Sequence, residues 1–254
     1  AWLRGERLFA RWTPADHDAA ADIFTGLIDR EPEFAPPYAS LASLYNVRHI
    51  VRPGVPRDAV ASHRAYRLAD RATELDPLDA RNQLAIAWSA SLEGDFDKAA
   101  LHMGMAARLN PNSPRTIVSC AMGFAFFGDH GRAGELLEHS LRCAPLMLDY
   151  QWCYAASVYY LAGDFERALT AARRGRDRII DNPGWHAATL VRLGRMEEAA
   201  QQFHNLVQAI GANWHRNEPA TPKTVREWFV AIYPMRRVAE REALAEALAE
   251  GHRR

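Results

Sequence analysis

Cysteine and long apolar runs are both scarce in this sequence. The three cysteines, Cys120, Cys143 and Cys153, are odd in number and lack the paired spacing of a disulfide framework or a zinc site. This pattern indicates a reducing compartment, and we expect the chain to be cytoplasmic. No apolar run reaches about eighteen residues, so we expect no membrane-spanning helix.

The chain also has no net charge and none of the common catalytic motifs. Lys plus Arg and Asp plus Glu both number 31, so we expect no broad basic surface that binds nucleic acids or membranes. There is no Gly-rich phosphate loop and no nucleophile elbow. The ten histidines form no His-Glu-x-x-His pair, and their closest clusters are His130 with His139, and His186 with His204 and His215. We therefore expect no enzymatic activity, no cofactor and no metal.

What the sequence does contain is a repeat of fixed length. Pro77, Pro111 and Pro145 follow one another at intervals of 34 residues, and a Gly-Asp pair keeps the same interval. A period of this length is typical of a helix–turn–helix solenoid. No segment alternates apolar and polar residues at strand spacing, so the fold class is predicted to be all-α.

The repeats divide the sequence into two parts. We predict an array of about six helix pairs over residues 1–210, followed by a linker and capping helices over residues 211–254. Trp228 and Phe229 of the second part are expected to face inward. Glycine turns are expected within the pairs, because glycine ends a helix in the left-handed conformation without Cβ strain. They are predicted at Gly94, Gly128, Gly163 and Gly194.

One insertion interrupts the period. Residues 47–57 are additional to the 34-residue repeat. Pro53, Gly54 and Pro56 among them rule out a continuous regular helix. Insertions in repeat arrays map to loops, often on one face of the stack. We predict that a helix over residues 37–47 ends here and that the insertion forms a loop.

A second pattern is the order of large, small and aromatic residues within each helix pair. One repeat has a large residue early in its first helix, then a small residue, a later aromatic, and an alanine in its second helix: Trp152, Ala156, Tyr159 and Ala168. Six second helices share the same small position: Ala20, Ala65, Ala99, Ala133, Ala168 and Ala199. Helices that cross tightly need a small residue at the contact, and an aromatic fills the wedge where they splay.

This pattern resembles the tetratricopeptide repeat (TPR) family over nearly the whole chain. The resemblance implies an all-α, right-handed TPR-type α-solenoid of about six helix pairs with a C-terminal capping segment. A narrower resemblance concerns the ends of the chain. Residues 2–5 (Trp-Leu-Arg-Gly), residues 31–35 (Glu-Pro-Glu-Phe-Ala) and the acidic-basic helix after Pro234 are similar to bacterial TPR arrays behind winged-helix DNA-binding or class III nucleotide cyclase domains. That resemblance implies a regulatory C-terminal part of a longer bacterial signalling or transcription protein.

In the TPR family the first helices line a concave face on which peptides usually lie. The resemblance places a partner groove on nine residues: Asn46, Arg81, Leu84, Trp88, Arg115, Met122, Phe126, Ser157 and Tyr160. Most of this floor is apolar or aromatic, and the two arginines at its mouth suit an acidic partner. Chaperone-binding members clamp a carboxylate with Lys and Asn at positions where this chain has neither, so binding of chaperone tails is disfavoured.

These residues predict a protein or peptide partner docked in the groove, and two alternatives stay open. An enclosed aromatic pocket capped by residues 47–57 would indicate a small-molecule sensor, and association through one end of the array would indicate a scaffold. The chain itself could also fill the groove, through the insertion or the C-terminal segment. Cys120 is expected to be buried and inert, whereas Cys153 is expected to reach the groove without a neighbour that stabilises its thiolate. The oligomeric state is left open.

Overall fold

The computed structural model describes residues 1–55 and 59–252. Within these ranges the chain forms fourteen α-helices and no strand, so the all-α prediction is confirmed. Pro56, on which part of the insertion prediction depends, lies outside the described residues. In chain order the helices are α1 (Trp2–Phe9), α2 (Pro14–Arg30), α3 (Ala35–Val51), α4 (Ala59–Leu75), α5 (Ala80–Glu93), α6 (Phe96–Leu109), α7 (Pro114–Phe126), α8 (His130–Cys143), α9 (Asp149–Leu161), α10 (Phe165–Gly175), α11 (Asn182–Arg192), α12 (Met196–Gly211), α13 (Pro222–Ala231) and α14 (Val238–His252).

The helices belong to two compact units. The first unit contains residues 1–51 and continues from α4 to Pro111, and the second contains residues 52–55 and the chain from residue 112 onward. In each unit, consecutive helices pack against each other as pairs. The division into array and capping segment at residue 210 remains a prediction from the sequence.

Small residues lie where the two helices of a pair touch, as predicted. The alanines shared by the six second helices are between 0% and 1% exposed: Ala20, Ala65, Ala99, Ala133, Ala168 and Ala199. A larger side chain at such a contact would push the helices apart, at a cost of about 1–3 kcal/mol. The alanine pattern in the sequence therefore marks the positions at which the two helices of a pair pack together.

The predicted glycine turns are present, and the aspartates after them have a second role. Backbone φ is +87°, +84°, +79° and +72°, in the left-handed region, at Gly94, Gly128, Gly163 and Gly194. The aspartate after each of the first three accepts a hydrogen bond from the backbone N–H three residues later: Asp95, Asp129 and Asp164. The Gly-Asp pair thus ends one helix and caps the next.

The insertion begins as helix, which corrects the predicted helix end at residue 47. α3 starts at Ala35 and continues to Val51, because His49 and Val51 are buried on its inner face. The chain then turns at Pro53 and Gly54, where φ is +85°. Proline and glycine marked the position of the turn in the sequence, but the apolar face of α3 extends the helix up to it.

In the second unit, α7–α12 form three helix pairs and α14 covers the last of them. α14 packs on α11 and α12 and buries Leu244 and Leu248. α13 packs on α12 and α14, and it buries Trp228 and Phe229, which confirms their predicted inward orientation. The unit therefore ends in a helix that shields the apolar face of its last repeat.

Candidate functional site

The second unit contains three aromatic side chains from the first helices of its three pairs. Phe126 lies at the end of α7, Tyr160 near the end of α9, and Trp185 in α11. The ring centroid of Trp185 lies 6.3 Å from that of Phe126 and 5.5 Å from that of Tyr160. We call these three residues the aromatic groove. They come from helices far apart in sequence, so the groove exists only when the repeats are stacked.

The chain itself fills the aromatic groove with residues 222–252, which comprise α13 and α14 and which we call the C-terminal arm. The ring centroid of Tyr233 lies 5.2 Å from that of Phe126 and 5.0 Å from that of Trp185. Phe229 meets Trp185 edge-on at 5.6 Å and is 0% exposed. Such tilted and T-shaped pairs are favoured arrangements of aromatic rings. The arm occupies the space that was predicted for a partner.

The arm lies close to two glycines, and at one of them the contact requires the absence of a side chain. A Cβ atom added to Gly184 of α11 would lie 2.6 Å from Phe229 Cζ and 2.7 Å from its Cδ2. A Cβ atom added to Gly128 would lie 2.7 Å from Arg237 Cζ. Because the Phe229 ring is fully buried, the arm keeps this fit only while Gly184 lacks a side chain, whereas the exposed guanidinium of Arg237 can move away from Gly128.

Polar contacts tie the arm to the end of α7 and the start of α8. The backbone N–H of Arg236 donates to the carbonyl of Phe126 at 2.9 Å. Glu240 Oε1 lies 2.7 Å from His130 Nε2 and 3.3 Å from Arg237 Nη1. The arm therefore spans from the last helix pair of the unit back to the first.

A buried carboxylate lies at the start of α11, beneath the arm. The hydroxyl of Tyr233 donates to Asp181 Oδ2 at 2.5 Å, and Trp185 Nε1 donates to the Tyr233 oxygen at 2.9 Å. Burial raises the pKa of Asp181 to about 6, against the hydrogen bond from Tyr233, which lowers it. Burial and the nearby Asp181 charge both raise the pKa of Tyr233. In the described part of the chain, Asp181 is thus paired with a phenol rather than with a cation.

The groove residues predicted for this unit lie at different depths. Phe126 and Tyr160 are buried in the aromatic groove, and burial raises the pKa of Tyr160 to about 12. Ser157 is also buried, and its hydroxyl donates to a carbonyl of its own helix at 2.8 Å. Met122 is half-buried and Arg115 is exposed. The structure packs Phe126 against Tyr233 of the arm and Tyr160 against Trp185, so a partner would reach Phe126 only after the arm has moved.

Two groove residues predicted for the first unit have partners within it. Asn46 is buried, and its amide donates to a carbonyl of α5 at 3.3 Å and to a hydroxyl of α5 at 3.0 Å. Arg81 pairs with Asp79, and its guanidinium lies 4.7 Å from the centroid of a Trp2 ring. Asn46 therefore joins α3 to α5, and Arg81 joins the start of α5 to α1.

The remaining predicted residues of the first unit, Leu84 and Trp88, are half-buried one turn apart on α5. A separate shallow cleft of about 580 Å³ runs along α4 and is lined in part by arginines. Among them, Arg71 pairs with Glu33 and Glu74. Since these pairs use the charge of Arg71 within the chain, we assign no ligand to this cleft.

The cysteines differ from the prediction at one position. Cys153 is buried rather than at the groove surface, because α9 packs so closely on the end of α10 that its Sγ would lie 2.7 Å from a Cβ at Gly175. Burial raises the pKa of the Cys153 thiol above its ordinary range and that of Cys120 to about 12. Cys120 is buried, as expected, and Cys143 is exposed. The raised pKa values keep both buried thiols protonated and unreactive.

The described part of the insertion binds the loop that precedes the arm. His215 N–H donates to the carbonyl of Pro53 at 2.9 Å, and Arg216 Nε donates to the carbonyl of Gly54 at 2.8 Å. Trp214 packs on the same turn, since its ring would lie 3.1 Å from a Cβ at Gly54. Residues 52–55 therefore hold the loop that leads into the arm, whereas one alternative left open by the sequence is that residues 47–57 cap an aromatic pocket.

The described part of the chain contains neither a metal-binding cluster nor a membrane-spanning helix. No three His, Cys, Asp or Glu side chains in the described ranges come close enough together to hold a metal ion. Over the same residues, no helix has both the length and the apolar character that crossing a bilayer requires.

Sequence reasoning missed three residues of this site: Asp181, Trp185 and Tyr233. One signal in the sequence could have found the last of them. Apolar residues recur at helical spacing through the first part of the arm: Val225, Trp228, Phe229, Ile232 and Tyr233. No comparable signal marks Asp181, because an aspartate before a helix usually caps that helix in water.

The comparisons with known proteins support the fold. No known family profile and no curated protein sequence matches this chain. A chain of the APC/C hetero-tetramer Cut9–Hcn1 is similar over 94% of this chain and 48% of its own length, with 16% identity and a TM-score of 0.62. TTC0263, a thermophilic TPR protein of Thermus thermophilus, is similar over 74% of this chain and 95% of its own length, with 15% identity and a TM-score of 0.55.

PilF of Pseudomonas aeruginosa is similar over 81% of this chain and 90% of its own length, with 13% identity and a TM-score of 0.51. The present chain spans about half the length of the Cut9–Hcn1 chain that it matches. Likeness at such low identity establishes the fold, which is the helix-pair solenoid of TPR proteins.

Proposed function

We propose that this chain is a non-enzymatic protein-docking module whose second unit binds a helical segment of a partner protein in the aromatic groove. The observation that carries the proposal is the arm. The groove already holds a segment that presents Phe229 of α13 and, four residues later, Tyr233 just beyond the end of this helix, through ring packing and buried hydrogen bonds. A groove that holds such a segment within the chain has the shape and chemistry to hold a similar segment from another chain.

The structural neighbours favour a protein partner over a small molecule. Cut9–Hcn1 is a hetero-tetramer, so a protein of this fold assembles with other chains. By the narrower sequence resemblance, we place the module in the regulatory C-terminal part of a bacterial signalling or transcription protein in the cytoplasm.

In this proposal the arm and the partner compete for one site. The arm is tethered, so it acts at an effective concentration of about millimolar or above. A partner binds only when its affinity or its local concentration exceeds that of the arm. The arm thereby sets the affinity or local concentration that a partner must exceed. Binding of the partner releases the first part of the arm, residues 222–237, from the groove.

The competition can be tested with a labelled synthetic peptide of residues 222–237 as the probe. Phe229→Ala in the full chain removes a fully buried ring and weakens docking of the arm by about 3–5 kcal/mol, while the groove stays intact. We expect the peptide to bind this variant saturably in fluorescence anisotropy. It should bind the wild-type chain at least about tenfold more weakly, because the arm occupies the site.

Two further variants locate the binding. Gly184→Ala added to Phe229→Ala places a Cβ where the phenylalanine of the peptide must lie, so binding should be lost. Gly134→Ala, with no atom within 4 Å of its new Cβ, is the matched control and should leave binding unchanged. Absence of binding to a Phe229→Ala chain of normal helix content by circular dichroism would contradict the proposed function. If that variant is misfolded, Tyr233→Phe in the full chain, which keeps all the rings, takes its place.

A further inference from the structure

Asp181 is the one buried carboxylate in contact with the arm, among the residues that the structure describes. It is 5% exposed, and its Oδ2 accepts the hydroxyl proton of Tyr233. Cys153 and Tyr154 also interact electrostatically with Asp181, and neither carries a positive charge, whereas Arg115 acts on Tyr154. The hydrogen bond that the arm donates to this carboxylate therefore comes from the hydroxyl of Tyr233.

A buried acceptor of this kind discriminates between ligands. A carboxylate left without its donor in a closed site loses a charge-assisted hydrogen bond and gains no water in exchange. Sites built to bind a hydroxyl group reject analogues that lack it far more strongly than apolar pockets reject a missing methylene. The groove can therefore distinguish tyrosine from phenylalanine, although both rings would fill it.

We propose that Asp181 selects the partner by requiring a tyrosine hydroxyl. This tyrosine lies four residues after the phenylalanine whose ring packs against Gly184. The proposal rests on the docking function proposed above and names the chemistry of its ligand. The partner is an amphipathic helical segment with apolar residues at the spacing seen in the arm, which ends in tyrosine. In the arm these positions are each at most 7% exposed: Val225, Trp228, Phe229, Ile232 and Tyr233.

The structure favours a different protein, rather than a second copy of this chain, as the source of that segment. The loop before the arm is bonded to the turn at Pro53 and Gly54 through His215 and Arg216. Exchange of arms between two copies would have to stretch or break these bonds, whereas a separate segment displaces only residues 222–237. Each copy therefore keeps its own arm near its own groove.

The test compares two peptides on the Phe229→Ala chain. One has the sequence of residues 222–237, and the other carries Tyr233→Phe. We expect the tyrosine peptide to bind on the order of 10- to 100-fold more tightly, since the loss removes the hydroxyl donor that the arm gives to a buried carboxylate, to which a backbone N–H also donates. On a chain that also carries Asp181→Asn, this ratio should fall to about its square root, because a charged hydrogen bond is roughly twice as strong as a neutral one.

The outcomes separate the two proposals. Equal binding of both peptides, or a ratio that Asp181→Asn leaves unchanged, would overturn the role of Asp181 while the docking function stands. Failure of both peptides to bind would instead overturn the docking function. Light scattering of the wild-type chain tests the source: a dimer that Tyr233→Phe dissociates would overturn the assignment to a separate protein. The comparison of the two peptides on the Phe229→Ala chain does not depend on the stability of the Asp181→Asn variant, because only the peptide differs.

Discussion

Gly184→Ala should open the groove without changing any residue on the surface of the molecule. Gly184 lies inside α11, and the ring of Phe229 covers it. The new methyl group would lie 2.6 Å from Phe229 Cζ and 2.7 Å from Cδ2. Since carbon atoms in contact prefer about 3.5–4.0 Å, the ring has to move by about 1 Å in a fully buried site.

The size of the effect follows from two opposing terms. Overpacking of a closed core costs about 1–3 kcal/mol. Replacement of glycine by alanine inside a helix is favourable by about 0.5–1 kcal/mol, but it stabilises α11 whether the arm is docked or released. The docking equilibrium therefore loses the whole overpacking term, and the released population should rise by about 5- to 150-fold.

Hydrogen exchange measured by mass spectrometry can follow this shift along the chain. Amides of residues 222–237 should exchange faster in Gly184→Ala, whereas those of α9 and α10 should keep their protection. Gly134→Ala is the control, because its Cβ has no atom within 4 Å and only the helix term applies. If exchange of residues 222–237 were unchanged, or rose equally over the whole unit, the close fit of Phe229 on Gly184 would not hold the arm in place.

Three further predictions address the buried carboxylate, the turns and the thiols. Burial raises the pKa of Asp181 from 3.8 to about 6, so its protonation favours folding below about pH 4, and this advantage is lost as the pH rises through about 6. Between about pH 4 and pH 7, wild type should therefore lose up to about 3 kcal/mol of unfolding free energy relative to Asp181→Asn in urea titrations, and equal curves would refute the buried charge. Gly94→Ala should cost about 1–2 kcal/mol in the same assay, because φ is +87° there while no neighbour crowds the site, and a neutral effect would refute backbone strain. Cys143 alone should react rapidly with a thiol reagent in the native protein, and rapid reaction of Cys120 or Cys153 would contradict their burial.

The repeats could be predicted from the sequence because local chemistry determines them. A glycine in the left-handed conformation, an aspartate that caps the next helix and an alanine at the helix contact all act within a few residues of one another or at a fixed period. Gly94 with Asp95 and the buried Ala99 illustrate all three. The glycine and the capping aspartate recur at three turns and the alanine in six second helices, so the repeats support one another.

The candidate site could be predicted only in part, because its contacts join distant positions. Phe126 and Tyr160 were expected on the inner face, which their helical spacing determines. Phe126 is covered by Tyr233, whose bond to Asp181 spans 52 residues. Periodicity shows that a face is apolar, but it does not say whether a partner, a ligand or the chain itself packs there.

The link between the arm and the start of α8 has a consequence for how the second unit folds and evolves. In an open repeat array each repeat contacts only its neighbours, so repeats can be added, lost or unfolded one at a time. The pair of His130 with Glu240 joins residues 110 positions apart and connects the first pair of the unit to its last helix. Such a closure raises the contact order, which slows folding and makes unfolding cooperative. Loss or gain of one repeat would break the closure, so the number of repeats in this unit is constrained by geometry.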